Sequence, residues 1–466
     1  MMRSKARLWW GVLAIVALAI NLRPGATSLG PVLAEVQAGL GMGGSLAGLL
    51  TSAPGFAFAV FGAFAVVIGL RLGLAGGLFV AALGAALGLL GRTFVDSVPL
   101  FFVLTALAFA GMAIGNVLVP AFIKAHYPNR LASIMSVYTV SLAIGATTAS
   151  LVSAPLSDVA PGGWRASLGV WGLAALAAAV PWAVLAASER RRRLAEEVVT
   201  HRVSGSVFAV IGSRKAVALA LFFGMQSMQA YVQFGWIAQM YRDGGLSATQ
   251  AGAMASLLAA FGVPAGFVMP VVVARVRDPR WVVVLLGALL VGGYLGVWLA
   301  PTTTPWLWAA LLGVSGFAFP MAMALITART RDAHTTTQLS GFTQSVGYLF
   351  SGIGPLLVGI LFEVTGGWDV PLWFLLGSAE VFVASGLVAD RLPRRRAGAA
   401  GLGPPALGRR GHRRPPRRPG LPDACLPGRP RRVGRRVPLR RGRARLGRGN
   451  RLNSLASSRK VEPSTT

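Results

Sequence analysis

The sequence predicts an all-α membrane protein whose helices cross the bilayer many times. Hydrophobic residues make up 54% of the 466 residues, and charged residues make up only 13%, about half of their usual share in soluble domains. The mean hydropathy is +0.62. Apolar stretches of about 20 residues, the length that crosses the hydrocarbon core, recur along most of the chain, so one large soluble core is excluded.

Hydropathy and helix-breaking residues divide the body of the chain into twelve predicted spans. In order, they are residues 8–30, 45–70, 73–91, 98–122, 131–154, 164–187, 216–240, 247–273, 281–300, 304–327, 336–362 and 370–388. The basic start of the chain resembles a signal peptide. We nevertheless expect the first span to be retained, because the apolar run is long and no clear small-x-small cleavage site precedes Asn21.

The distribution of Lys and Arg predicts the topology. The N-terminus and the even-numbered connections carry 18 of these residues, whereas the odd-numbered connections carry three, Arg92, Arg165 and Arg242. Because basic residues accumulate on the cytoplasmic side, we expect both termini in the cytoplasm of a bacterium, with the body in its cell membrane.

Polar breaks predict four regions. The longest break before the tail covers residues 188–215 as a central cytoplasmic linker, between a six-helix half at 1–187 and another at 216–390. Residues 391–466 carry 23 Lys and Arg but two acidic residues, and their Arg, Gly, Pro and Ala composition predicts disorder. Such a tail suits anionic lipids or RNA; out-of-frame translation of GC-rich DNA is the favoured alternative.

Arg23 is the first candidate for a functional residue. The apolar run begins near Leu8, so Arg23 lies roughly 22 Å along a helix with a rise of about 1.5 Å per residue. A guanidinium at that depth costs about 2.5 kcal/mol or more unless it faces protein, water or a counter-ion. Its planar fork suits the oxygens of an anionic group such as a carboxylate. Pro24 predicts a local kink. A structural arginine is the alternative.

The seventh span carries Gln226, Gln229 and Gln233, whose spacing places them on one helical face. Amide side chains at membrane depth need polar surroundings. They are therefore candidates for a polar stripe that lines a substrate cleft, and the alternative is hydrogen bonding that only holds helices together.

Further polar residues lie at membrane depth and join the candidate substrate contacts. Glu380, near the middle of the twelfth span, is a weaker candidate for proton coupling, because a carboxyl group there is either neutral or paired. The remaining candidate contacts are Asn21, Asn116, Tyr138, Gln344 and Tyr348.

Several classes of protein are disfavoured. The chain has no Walker-type phosphate loop, four His and one cysteine, Cys425, so ATP-driven transport, metal catalysis and a disulfide framework are not expected. No metal site and no cofactor are predicted. Nucleophiles, acids and metal ligands do not cluster at membrane depth, which disfavours an embedded enzyme.

Five motifs resemble the cyanate-permease and 2-nitroimidazole-transporter branch of the major facilitator superfamily. They are Asn-Leu-Arg-Pro-Gly-Ala-Thr-Ser at 21–28, Gly-Met-Ala-Ile-Gly-Asn-Val-Leu-Val-Pro at 111–120 leading to Lys124, Gly-Trp-Arg at 163–165, Leu-Phe-Phe-Gly-Met-Gln-Ser at 221–227 and Gly-Phe-Thr-Gln-Ser at 341–345. The resemblance covers about residues 8–390. It implies two six-helix halves around a central cleft.

One loop departs from the superfamily pattern. After the second span this superfamily usually has an Asp-Arg pair within a glycine-containing motif that helps to close the inner gate. Here residues 68–77 read Ile-Gly-Leu-Arg-Leu-Gly-Leu-Ala-Gly-Gly, so that Arg71 and the glycines remain but the acidic residue is missing.

The resemblance and the membrane-embedded polar residues together predict a secondary transporter. We expect it to move a small polar or anionic organic solute by alternating access, and the resemblance implies a cyanate- or nitroimidazole-like solute. Its other expected partner is the lipid bilayer, with proton coupling as a weaker expectation, no specific nucleic acid, and a monomeric state. A channel or a solute sensor on the same fold, or the inactive product of a frameshifted gene, remain the alternatives.

Overall fold

The computed structural model describes residues 2–193, 214–276, 278–328 and 333–390. All regular secondary structure in these ranges is helical. The basic tail at 391–466 and most of the predicted linker, residues 194–213, lie outside the described residues. The chain divides into two units, Met1–Gly398 and Ala399–Thr466, and every described residue belongs to the first unit.

The helices of the N-terminal half follow the predicted spans closely, except that the first span, predicted at 8–30, continues to Leu40. Short 3-10 turns at Gly30–Val32, Arg92–Phe94 and Pro128–Arg130 join some of them. The α-helices are α1 (Met2–Asn21), α2 (Pro24–Thr27), α3 (Leu33–Leu40), α4 (Gly44–Leu72), α5 (Leu74–Gly91), α6 (Val98–His126), α7 (Leu131–Val159) and α8 (Trp164–Arg193).

The helices of the C-terminal half also match the predicted spans, except that two spans are interrupted. The predicted eighth span breaks at Phe261, and the predicted tenth span breaks at Gly316 and Phe317. The helices are α9 (Arg214–Asp243), α10 (Ala248–Ala260), α11 (Gly262–Arg275), α12 (Arg280–Leu299), α13 (Pro305–Ser315), α14 (Ala318–Ala328), α15 (Ala333–Thr365) and α16 (Asp369–Asp390).

Eleven segments of the described chain are long and apolar enough to cross a membrane. This confirms an all-α polytopic protein. The remaining long helix is α9, whose 30 residues include Gln226, Gln229 and Gln233, and these amides lower its hydropathy. The count of twelve spans, with α9 as the twelfth, remains a prediction, as does the division into six-helix halves.

The two groups of helices meet closely at one end of the bundle. We call this the outer end; it carries the α3–α4 and α15–α16 connections, which the charge distribution predicts to lie outside the cell. Here α4 contacts α15 through glycines: a Cβ at Gly48 would lie 3.0 Å from the Leu356 carbonyl oxygen, and one at Gly55 would lie 2.5 Å from the Gly352 nitrogen. A second seam joins α7 to α10, where Ser256 Oγ donates to the Thr147 carbonyl oxygen over 2.9 Å.

Towards the opposite end of the bundle, which we call the inner end, the face of α4 that contacts α15 becomes exposed. Val66 lies 18 residues, or five full helical turns, after Gly48 and therefore on the same face. Its side chain is 50% exposed, whereas Gly48 and Gly55 are in contact with α15. Along α4, the contact with α15 is therefore tight at the outer end, and this face is exposed at Val66, towards the inner end.

Candidate functional site

The first predicted span is interrupted at Arg23. Helix α1 ends at Asn21 and α2 begins at Pro24, which confirms the irregularity predicted from the proline. Pro24 has no backbone N–H to continue the helix. After the break, the Arg23 carbonyl oxygen accepts from the Thr27 amide at 3.1 Å and from Thr27 Oγ1 at 3.3 Å. These bonds fix the backbone on which the guanidinium is carried.

Tyrosines from both halves surround the Arg23 guanidinium. Tyr138 of α7, Tyr231 of α9 and Tyr348 of α15 interact with it electrostatically. No acidic side chain of the described residues belongs to this group, and Arg23 is only partly buried. Its positive charge therefore lies near phenol groups rather than a carboxylate, which leaves it able to attract an anion or a dipole.

Hydrogen bonding and aromatic packing hold the tyrosines in place. The Tyr138 hydroxyl donates to Asn116 Oδ1 over 2.7 Å. The ring of Tyr348 lies 5.4 Å from that of Phe58 and 5.7 Å from that of Phe223, centroid to centroid. A small planar solute beside Arg23 would therefore meet hydroxyl groups and the aromatic rings that support them.

Tyr231 is a candidate site residue that the sequence did not predict. It lies on the face of α9 opposite to the three glutamines, since two residues correspond to about 200° of rotation. That face also carries Gly224 and Gly235, where an added Cβ would lie 2.8 Å from Phe350 and 2.7 Å from Thr51. A stripe of small residues around a tyrosine is a signal for the face turned towards α15 and α4.

The glutamine stripe lies elsewhere. All three side chains are at least 95% buried. Gln229 Nε2 donates to the Leu375 carbonyl oxygen at 3.1 Å and to Ser378 Oγ at 2.6 Å, both on α16. Tyr294 of α12 donates to Gln229 Oε1 over 2.6 Å. These contacts lie within the C-terminal half, so the structure does not bring the stripe together with Arg23, and they support the interhelical alternative.

Two other candidate substrate contacts form local hydrogen bonds. Asn21 is 5% exposed, and its Nδ2 donates to the carbonyl oxygens of Ala17 at 2.8 Å and of Ala174, on α8, at 3.3 Å. Gln344 is partly buried, and its Nε2 donates to Ser340 Oγ one turn away at 2.7 Å. The amide group of Asn21 thus joins α1 to α8, whereas Gln344 keeps its Oε1 available.

Glu380, the candidate for proton coupling, lies on the exposed face of α16. The same helix turns Ser378 inwards to Gln229. The structure therefore places the Glu380 carboxyl on the outer surface of the bundle rather than beside Arg23.

Charged residues join the two halves at the outer end. Arg242, at the end of α9, forms an ion pair with Glu35 of α3 over 2.8 Å. Glu363, near the end of α15, accepts a hydrogen bond from the Ser45 amide. This places a carboxylate at the N-terminus of α4, where the helix dipole favours negative charge. We call Arg242, Glu35, Glu363 and Ser45 the outer latch.

The family of the chain follows from comparison with known proteins. The model of the Major Facilitator Superfamily matches residues 11–355. A transporter of Bacillus subtilis (strain 168), YycB, is 35% identical over 390 residues, covering 83% of this chain and 95% of the relative. The 2-nitroimidazole transporter and the cyanate transport protein CynX of Escherichia coli (strain K12) are 29% and 26% identical, and the matches cover 82% and 77% of this chain and 95% and 91% of those relatives.

Solved structures show the same fold at low identity. The D-xylose–proton symporter superposes with a TM-score of 0.66 at 11% identity, covering 83% of this chain and 98% of the symporter. The nucleoside transporter NupG superposes with a TM-score of 0.64 at 12% identity, covering 82% of this chain and 98% of that transporter. The chain therefore belongs to the major facilitator superfamily of membrane transporters.

Proposed function

We propose that the chain is a secondary active transporter of the bacterial cell membrane that moves a small polar or anionic organic solute by alternating access. The observation that carries this proposal is the position of Arg23. Its guanidinium lies at a helix break, and tyrosines from both halves, rather than a carboxylate, surround it. A solute bound there contacts the two halves at once, so its binding energy depends on how they are arranged.

The chemistry of the site favours a compact solute with an anionic or strongly dipolar end. Arg23 supplies a planar pair of donors, and Tyr138, Tyr231 and Tyr348 supply hydroxyl groups. Cyanate and nitroimidazoles both fit this description. The names of the two Escherichia coli relatives support them as the first solutes to test.

With the topology that the charge distribution predicts, the exposed inner part of α4 and the closed outer latch support an inward-facing conformation. Tight contact between α4 and α15 at the outer end favours a carrier over a continuous pore. A channel on the same fold is the alternative, and counterflow separates the two. Only a carrier transiently accumulates labelled solute in liposomes that are preloaded with unlabelled solute. Glu380 remains a proposal for proton coupling, and a monomeric state is also proposed.

Arg23→Ala tests the proposal. In proteoliposomes, counterflow of labelled cyanate or 2-nitroimidazole should be lost, and thermal stabilisation of the purified protein by the same solute should disappear. Arg23→Lys keeps the charge but loses the fork, and it should retain only part of the activity. Arg275→Ala removes an exposed arginine at the end of α11 and serves as the matched control. Counterflow at the wild-type rate by Arg23→Ala would contradict the proposal.

A further inference from the structure

A second polar site lies inside the C-terminal half, apart from Arg23. It is a cavity between α9, α12, α13 and α16, with about 20 Å³ open to the centres of water-sized molecules. One water molecule needs about 10–15 Å³ on that measure, so the cavity holds a single small ligand. Its lining comprises Gln226, Gln229, Ala230, Gln233, Leu290, Ser315, Gly316 and Phe382.

Hydrogen bonds around the cavity fix the orientation of the glutamine amides. Gln229 Nε2 must be the nitrogen, because it faces the Leu375 carbonyl oxygen at 3.1 Å. Tyr294 donates its only hydroxyl proton to Gln229 Oε1. The Tyr294 oxygen is consequently the acceptor for Gln233 Nε2, at 3.4 Å. The oxygen of the Gln233 amide therefore points away from Tyr294.

The hydroxyl protons near the cavity are also used. Ser315 Oγ donates to the Leu312 carbonyl oxygen over 2.6 Å, and Ser378 Oγ donates to the Leu375 carbonyl oxygen over 2.8 Å. The donors that remain among the described lining residues are the amide protons of Gln226 and one amide proton of Gln233. Lone pairs on the oxygens of the three glutamines and Ser315 outnumber them by about two to one.

The interruption of the predicted tenth span borders this group of acceptors. Helix α13 ends at Ser315, and the chain resumes as α14 at Ala318. Across the interruption the Gly316 amide donates to the Leu312 carbonyl oxygen at 3.3 Å, and the Phe317 amide donates to the Val314 carbonyl oxygen at 3.0 Å. Ser315 and Gly316 line the cavity, so this end of α13 faces it. In transporters, helix ends of this kind at interrupted spans are suited to coordinating monovalent cations.

We propose that this cavity binds a monovalent alkali-metal cation through neutral oxygen ligands. Gln229, Gln233 and Ser315 supply side-chain oxygens, and the interruption after α13 borders the same cavity. No carboxylate of the described residues lines the cavity, so we expect the binding to be weak. A bound ion would hold α13 against α9 and α12.

The test is the melting temperature of the purified full-length protein in NaCl, KCl or N-methyl-D-glucamine chloride at equal ionic strength. We expect Na⁺ or K⁺ to raise the Tm in a saturable way relative to N-methyl-D-glucamine. Gln233→Leu and Ser315→Ala should each abolish the rise. Gln239→Leu, on the same helix but bonded to Asp243, should retain it, and so should Arg23→Ala, because the substrate site is separate.

Equal Tm values in the three salts would show that the cavity holds only water and would overturn the proposal. The proposal is also overturned if Na⁺ or K⁺ raises the Tm of Gln233→Leu and of Ser315→Ala as much as that of the unchanged protein. Should Gln233→Leu fail to fold, Ser315→Ala alone decides, because the Ser315 hydroxyl bonds only to its own helical turn.

Discussion

The Tyr138 hydroxyl donates to Asn116 Oδ1 over 2.7 Å, while the same phenol interacts with the Arg23 guanidinium. The bond joins α7 to α6 beside the charge, so we expect Asn116 to act on the site through Tyr138. It also uses the hydroxyl proton of Tyr138, so the Tyr138 oxygen can only accept a further hydrogen bond.

This pairing predicts non-additive effects of substitution. Tyr138→Phe and Asn116→Ala each remove the same hydrogen bond, so we expect each to weaken solute binding. The double variant should lose little more than the stronger single variant. The coupling energy should be about 0.5–1.5 kcal/mol, measured from solute-dependent Tm shifts. Fully additive losses would show that Asn116 does not act through Tyr138.

Tyr231 predicts a different pattern. The Tyr231 hydroxyl is buried, and among the described residues no group meets the distance and angle criteria of a hydrogen bond with it. It nevertheless interacts electrostatically with the Arg23 guanidinium. Tyr231→Phe should therefore leave the melting temperature unchanged or higher but weaken solute affinity by about 2- to 10-fold. Tyr241→Phe is the matched control. Its hydroxyl donates to the Pro305 carbonyl oxygen, so that variant should lose stability and keep affinity.

The outer latch predicts a shift in conformation. Glu363→Gln combined with Arg242→Ala removes the carboxylate from the α4 N-terminus and breaks the ion pair with Glu35. We expect more opening at the outer end. The measurement is maleimide labelling of a Thr51→Cys variant from which Cys425 has been removed. Thr51 is buried and contacts Gly235 of the other half, so labelling reports opening between the halves.

The matched control for the latch is Asp96→Asn. Asp96 pairs with Arg165, but both residues belong to the N-terminal half, so breaking this pair should not increase labelling of residue 51. Equal labelling in the latch variant and the control would contradict a role of Arg242 and Glu363 in closing the outer end.

The positions of the helices were largely predictable from the sequence, whereas the partners of the polar residues were not. Apolar runs of about 20 residues define spans because the bilayer fixes their length. The three glutamines show the difference. Their common face was evident from their spacing, but spacing does not show that this face meets Tyr294 and Ser378 rather than Arg23. Helix rotation depends on packing across the whole bundle, including the small residues Gly224 and Gly235.

The missing acidic residue after the second span leads to the last prediction. In the structure, Glu189 of α8 provides a carboxylate at the N-terminus of α5. It accepts from the Leu74 amide at 3.2 Å and from the Ala75 amide at 2.8 Å. A carboxylate from another helix thus satisfies N–H groups that would otherwise lack partners. The neighbouring Gly73, at φ +83°, lets the chain turn beneath it.

Glu189→Gln should lower the free energy of unfolding by about 0.5–2 kcal/mol, because the amide loses the charge that favours this helix end. Gly73→Ala should lower the free energy of unfolding more than Glu189→Gln does. An added Cβ would lie 2.6 Å from Glu189 Oε1, and the backbone conformation at Gly73 disfavours any side chain. Arg190→Gln, at the adjacent exposed position, is the control and should leave the melting temperature unchanged. If Glu189→Gln and Arg190→Gln have the same melting temperature, the carboxylate does not stabilise α5, and the turn at Gly73 alone fixes the start of that helix.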